Sequence, residues 1–277
     1  MCMSERNILR DAVYGAVIGD ALGVPYEFEK RGSFVCTRMR GYGTHNQKPG
    51  TWSDDSSMLL ATCRSLKDNN GRVDTEDMKQ RFRDWLLDAK YTAGGSVFDA
   101  GITTTDAILR GKGSSEERSQ GNGSLMRILP LAFTDCSDDE IREVSALTHA
   151  HPNCMEACVI YVHLARACIM GKDLRTCVHQ LELTAPFHRL AGIDALGEDE
   201  IQSSGYVVHT LEAALWCVLN TDSFAECLMK AVNLGDDTDT TACVAGGLAG
   251  ILYPIEDLPQ DWYEKIRNKE LIDACLV

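Results

Sequence analysis

Apolar residues recur at helical spacing along most of this chain, and nowhere do they alternate over the length of a strand. Ile8, Leu9, Ala12, Val13, Ala16 and Val17 set the period of a first helix over residues 5–22, and Pro25 ends it. Gly15, Gly19 and Gly23 lie four apart and leave one face almost bare, so another backbone is expected close against it. Residues 32–52 hold no period. They carry Gly32, Gly41, Gly43, Pro49 and Gly50, and a loop of that length inside a compact domain is commonly functional. Further helices are predicted over residues 56–66, from a cap at Asp74 or Thr75 through Leu86, over 103–110, from Ser137 to Ala150, from Asn153 to near Gly171, and over 173–184, 205–219, 223–233 and 238–252. A last one is expected over 261–268. Ser137 with Glu140 forms a capping box, and Asn153 with Glu156 makes a similar start. Residues 112–121 are polar and expected at the surface, and an apolar run follows to Phe133. Gly246, Gly247 and Gly250 again allow close helix packing before Pro254. No linker, repeat or low-complexity tract divides the chain. The pattern predicts one all-α, compact multi-helical domain over residues 1–277 with long functional loops.

Composition adds limits. The chain has 277 residues, enough for a sizeable core, and its 44% hydrophobic and 25% charged content is ordinary for a globular protein. A net charge of -14 argues against nucleic acid, whose phosphates want clustered Lys and Arg. None of the 12 cysteines forms a C-x-x-C pair, and several lie in apolar helical runs, such as Cys154, Cys158 and Cys168. They read as reduced and buried in a cytoplasmic protein. Residues 1–6 are polar and open no signal peptide, and no apolar run reaches the ~20 residues that span a bilayer.

The candidate chemistry lies in two acidic stretches, Ser53-Asp54-Asp55 and Asp237-Thr238-Asp239-Thr240, each at the opening of a helical run. A helix cap explains either one alone. Together they offer only hard oxygen donors, which suit Mg²⁺ or Mn²⁺, and they could bridge a two-metal centre made from the two ends of the domain. An EF-hand fits poorly, because Leu248 stands where its bidentate Glu belongs. Zinc is disfavoured by the absence of His and Cys from both motifs. Glu27, just past the first helix among aromatics, could act on a water or hold a metal, although a surface Glu beside a turn is the commoner reading of that segment alone. Gly121-Asn122-Gly123-Ser124 opens an apolar run in the manner of a phosphate-binding helix start, or of a plain turn. His149 and His151 precede Pro152, where a structural role is the commoner one. No G-x-S-x-G elbow or distinctive Cys/His arrangement supports a covalent nucleophile.

Seven ordered segments carry a resemblance: GAVIGDALGVPYEF (15–28), GTWSDDSSM (50–58), FDAGITT (98–104), GNGSLMRILPLA (121–132), LTHAHP (147–152), GYVVHTLEAALW (205–216) and NLGDDTDTTACVAGGLAGILY (233–253). The chain resembles the ADP-ribosylglycohydrolase family, the group typified by dinitrogenase reductase-activating glycohydrolase, from about residue 10 to 253. The resemblance implies an all-α fold with a binuclear Mg²⁺ or Mn²⁺ site and hydrolysis of the bond between ADP-ribose and an acceptor, commonly a protein side chain. By motif it implies Ser53, Asp54, Asp55, Asp237, Asp239 and Thr240 as metal ligands, and Glu27 and Asp99 as the catalytic pair. It implies Gly121, Asn122, Gly123, Ser124 and His149 at the diphosphate or ribose, and Tyr206 at the adenosine end.

Three positions depart from the family pattern. Asp236 replaces a usual Gly, His209 stands where an acidic residue is common, and Ile102 occupies a position that is polar in the nitrogenase-type enzyme. Two alternatives stay open. The family holds lens-crystallin relatives, so a non-catalytic ADP-ribose binder is one. A hydrolase of a small ADP-ribosyl metabolite is the other. A monomer suffices for all three, and the acceptor is left to the loops over 29–49 and 88–101.

Overall fold

A computed structural model describes residues 6–276, and the polar opening at residues 1–5 lies outside the described residues. The regular elements of the described chain are helices: α1 (Ile8–Gly23), α2 (Asp54–Asp68), α3 (Thr75–Asp88), α4 (Ile102–Arg110), α5 (Asp138–Ala146), α6 (Pro152–Ile169), α7 (Leu174–His179), α8 (Val207–Leu219), α9 (Phe224–Asn233), α10 (Thr238–Leu252), α11 (Gln260–Lys265) and α12 (Lys269–Cys275). Three isolated backbone bridges are the only extended pairing among the described residues. No helix among them is long and apolar enough to cross a membrane.

The first and last family-like segments, far apart in the chain, form the central pair. A Cβ at Gly15, Gly19 or Gly23 would collide with the backbone of Gly246, Ala242 or Asp239, and one at Gly250 would collide with that of Asp11. The bare faces therefore let α1 and α10 touch backbone to backbone. Both helices are buried on nearly every side, α1 from Asp11 onward and α10 as far as Ile251. Thr238 Oγ1 donates to the Gly23 carbonyl at 2.9 Å and ties the start of α10 to the end of α1. The helices α2, α6, α8 and α9 pack around this pair, with Tyr161 of α6 donating to the Val244 carbonyl at 2.8 Å.

Several boundaries differ from the expected ones. The start of α6 is capped by His151, whose Nδ1 accepts from Asn153 N at 3.2 Å, because Pro152 takes the first helical position; Asn153 with Glu156 is not the cap. The Ser137–Glu140 capping box is present, but α5 ends at Ala146 instead of Ala150, since Ala150 N leaves the helical ladder and pairs with Ser114 O at 2.8 Å. The expected helix over 173–184 stops at His179, short of Pro186. The apolar run after Gly123 becomes two 3-10 turns, Leu125–Arg127 and Leu129–Phe133. The expected helix over 261–268 is α11, and α12 follows a left-handed Asn268 with φ 47°.

Candidate active site

The site sits where the C-terminal end of α1 meets the N-terminal ends of α2 and α10. Ser53 caps α2 through its hydroxyl, which accepts from Asp55 N at 3.3 Å and donates to Asp55 Oδ2 at 3.0 Å. Asp54 and Asp55 fill the first turn, so the cap and the paired carboxylates coexist. Asp20 of α1, fully buried, anchors this turn. Its carboxylate accepts from Ser53 N at 3.0 Å, Ser56 N at 3.0 Å and the Ser56 hydroxyl. Asp237 precedes α10 but makes no side-chain cap bond; its Oδ2 accepts from Asn122 Nδ2 at 2.8 Å. Asp239 Oδ1 takes Thr240 N at 3.0 Å, and Thr240 Oγ1 reaches Asp55 Oδ2 at 3.4 Å. That last contact joins the two acidic motifs across 185 residues of sequence.

Three buried carboxylate oxygens in this cluster have no partner: Asp55 Oδ1, Asp237 Oδ1 and Asp239 Oδ2. Burial first, and neighbouring carboxylates next, push Asp54, Asp55 and Asp239 well above the usual carboxylate range. Burial raises Asp237 as well, and Glu27 is pushed up to about 10 by burial and then by Asp99 and Asp237. Oxygen ligands left bare in a dry cluster of like charge fit a hard divalent cation, which would satisfy them and let them ionise. Carboxylate oxygens of Glu27, Asp237 and Asp239 lie within 4.8 Å of one another, a spacing one ion can span.

Glu27 also faces His45. The imidazole Nε2 contacts Glu27 Oε2 closely and stands 3.8 Å from Asp99 Oδ2. His45 comes from the aperiodic loop over 32–52, which gave no sign of it. Asp99 adopts a left-handed φ of 59°, which turns it toward the cluster, and burial raises its carboxyl.

A cavity of about 290 Å³ opens over these groups, lined by Glu27, Asp54, Asp55, Asp99, Asn122, His149, Asp237 and Thr240, with Phe28 and Ile102 also on its wall. Gly121 and Gly123 line it as well, whereas Ser124 turns its hydroxyl inward to Ser145 at 2.9 Å and does not face the cavity. Tyr206 lines a neighbouring cavity of about 560 Å³ with Glu117, Arg118, Asn153 and Gly121, so Gly121 is shared by both. The backbone bridge between Gly121 and Tyr206 fixes that adjacency.

The three departures find distinct places. Asp236 is exposed, with φ 63°, and lines a separate cavity with Phe28, Arg31 and Ser203. His209 bonds Ser204 Oγ through Nδ1 at 2.8 Å and packs edge-on against Tyr206. Ile102 is 85% exposed at the cavity mouth. Residues 112–121 are largely at the surface as expected, except that Ser119 is buried and bonded to Ser114.

Comparison with known proteins agrees with this fold. The sequence profile of the ADP-ribosylglycohydrolase family matches residues 1–277. The chain is 33% identical to "ADP-ribosylarginine hydrolase Tri1" of Serratia proteamaculans (strain 568), over 95% of this chain and 76% of that one. It is 30% identical to "ADP-ribosyl-[dinitrogen reductase] glycohydrolase" of Rhodospirillum rubrum, over 93% of this chain and 90% of the other. A solved structure titled "ADP-ribosylglycohydrolase-related protein complex" superposes with a TM-score of 0.83 at 29% identity, covering 98% of this chain and 97% of its own.

Proposed function

This chain belongs to the ADP-ribosylglycohydrolase family, and from that premise we propose that it hydrolyses the glycosidic bond between ADP-ribose and a protein side chain, with arginine as the acceptor. The relatives named for ADP-ribosylarginine and ADP-ribosyl-[dinitrogen reductase] support the protein acceptor. The observation that carries the reading is the set of three unpartnered carboxylate oxygens drawn from both acidic motifs.

Ser53, Asp54, Asp55, Asp237, Asp239 and Thr240 would hold two divalent ions, Mg²⁺ or Mn²⁺. When bound, those ions supply positive charge beside the ribose hydroxyls and acidity to a water. The residues do the rest. The glycosidic C–N bond breaks with its electron pair on the guanidine nitrogen, which takes up the proton that the water gives up. The oxocarbenium character left at the anomeric carbon is stabilised by the carboxylates around it. Asp99 takes the proton of the attacking water, because Glu27 is shared between His45 and the Asp237–Asp239 pair. Asn122 and Asp237 hold one wall, and Gly121, Gly123 and His149 form the end that receives the diphosphate. One chain supplies every group, so a monomer suffices. The 11 cysteines described are all unpaired, which suits a reducing compartment such as the cytoplasm.

The test is release of ADP-ribose from arginine-linked and serine-linked proteins and from small ADP-ribosyl metabolites, each with Mg²⁺, with Mn²⁺ and with EDTA. Metal-dependent release from the arginine linkage supports the reading. ADP-ribose binding without release from any substrate would replace it with a non-catalytic binder.

A further inference from the structure

Arg127 is a buried cation that the reaction above does not use. It is wholly inaccessible, and no carboxylate stands within ion-pair distance of it among the described residues. Its guanidinium stacks over the Phe82 ring with its carbon 4.6 Å from the centroid. Nη1 donates to the Val144 carbonyl at 3.2 Å, Nη2 donates to Thr148 Oγ1 at 2.7 Å, and Nε has no partner. A buried charge without a counter-ion is costly to keep. The segment that places it begins at Gly121-Asn122-Gly123, which lines the cavity.

Thr148 passes the effect on. Its hydroxyl oxygen stands 2.9 Å from His149 Nδ1. The guanidinium can only donate, so the Thr148 oxygen accepts from it. The single Thr148 proton then goes to Nδ1. The opposite assignment would put two donors on that oxygen and leave the Thr148 proton idle in a site that is 1% exposed. Nδ1 is therefore the acceptor, and the imidazole proton sits on Nε2. Nε2 makes no hydrogen bond among the described residues. Its edge lies against two glycines: a Cβ at Gly123 would come within 2.7 Å of Cε1, and one at Gly121 within 3.4 Å of Nε2. Only bare backbone leaves that nitrogen open to the cavity. The neighbouring backbone is held in turn, because Ser114 pairs with both Thr148 O and Ala150 N.

We propose that Arg127 and Thr148 are positioning residues that hold His149 as a neutral imidazole protonated on Nε2, aimed as a hydrogen-bond donor at the ligand's diphosphate, with Arg127 supplying the positive charge from beneath. The diphosphate half rests on the ADP-ribose reading; the tautomer half does not. Burial, and then the Arg127 charge, push the His149 imidazole down to about 3, in keeping with a donor that keeps one protonation state across neutral pH.

The test is nitrogen NMR of the His149 ring in the full chain, assigned against His149→Gln, together with ADP-ribose affinity by calorimetry. The wild type is expected to show a protonated Nε2 and a bare Nδ1 from pH 5 to 8. Thr148→Val is expected to mix the tautomers and weaken ADP-ribose binding about tenfold, with Mn²⁺ affinity unchanged and with Thr148→Ser restoring both. A proton on Nδ1, a ring that titrates in that range, or Thr148→Val binding like the wild type would overturn the relay. A wild type with the expected tautomer that does not bind ADP-ribose would overturn the ligand half together with the functional reading.

Discussion

Asn122 Nδ2 donates to Asp237 Oδ2 at 2.8 Å, and the same nitrogen donates to Thr210 Oγ1 at 2.8 Å. Both amide protons are thus spent on the frame of the site, leaving Asn122 its Oδ1 and backbone for any ligand. The bond aims Asp237 so that its free oxygen faces the cluster. Asn122→Ala is expected to lower Mn²⁺ affinity by about 10- to 100-fold, the usual effect of losing a group that orients a ligand. Titration calorimetry checks this. Unchanged affinity would remove Asp237 from the ligand set.

The carboxyl cluster gives stability a pH dependence that the cation should reverse. Glu27 is raised to about 10, and Asp54, Asp55 and Asp239 are raised well above their unfolded values. Between pH 7 and 9 the metal-free native state therefore binds more protons than the unfolded chain. Stability falls as pH rises across that window, by up to about 1.4 kcal/mol per proton per pH unit. His149, depressed to about 3, opposes this only weakly and only near pH 7, where about a quarter of the unfolded imidazoles still hold a proton. Urea midpoints in EDTA should drop from pH 7 to 9, and saturating Mg²⁺ should flatten the slope. Calorimetry in buffers of different ionisation enthalpy should show at least one proton released on metal binding. A flat EDTA profile with no proton release would contradict the cluster's role.

Asp236 occupies a left-handed backbone position, φ 63°, beside a ligand candidate, and its own carboxylate is exposed. Its backbone does the local work: Asp236 N donates to Glu29 O at 2.9 Å and Asp236 O accepts from Phe28 N at 2.7 Å. A glycine would make the same bonds without the strain of a Cβ. Asp236→Gly should leave metal affinity within about twofold and stability equal or higher by up to about 1 kcal/mol. A large loss of affinity would show that the extra carboxylate acts on the metals after all.

Residues that obey a period or a motif were legible in the sequence. The glycine face of α1 announced the contact with α10, and the two acidic stretches announced the cluster. Asp20 escaped although it lies within a quoted motif, because its function is to hold Ser53 and Ser56, residues distant in sequence. His45 escaped because the loop over 32–52 has no repeat from which to infer direction. The chain there takes left-handed turns at Tyr42 (φ 68°) and Asn46 (φ 52°). Thr148 and Arg127 look like ordinary helix-flanking residues until their hydrogen bonds are seen. Local rules fix elements, whereas these residues act through partners that only the packed chain supplies.

Phe28 carries the strongest local contradiction. An aromatic residue at φ 64° is strained, and this side chain is 66% exposed, so it recovers little from packing. Its backbone is pinned to Asp236, one residue before Asp237, and the exposed side chain stands at the mouth of the carboxylate-lined cavity with Ile102. A strained residue that does not stabilise the fold is best explained by what it meets from outside. The mouth is where the acceptor side chain must pass, and a flat apolar ring suits the stem and guanidine plane of arginine. Phe28→Gly removes the strain and the ring together. Stability should therefore hold or rise by up to about 1 kcal/mol, while KM for an ADP-ribosylarginine protein rises by about tenfold, the worth of one partly buried ring. ADP-ribose affinity should not move, since Phe28 is not among the groups assigned to the diphosphate end. Thermal unfolding, steady-state kinetics and calorimetry on one variant separate the three effects. An unchanged KM would leave Phe28 outside acceptor recognition, and a fall in stability would mean that its ring packs in the folded state after all.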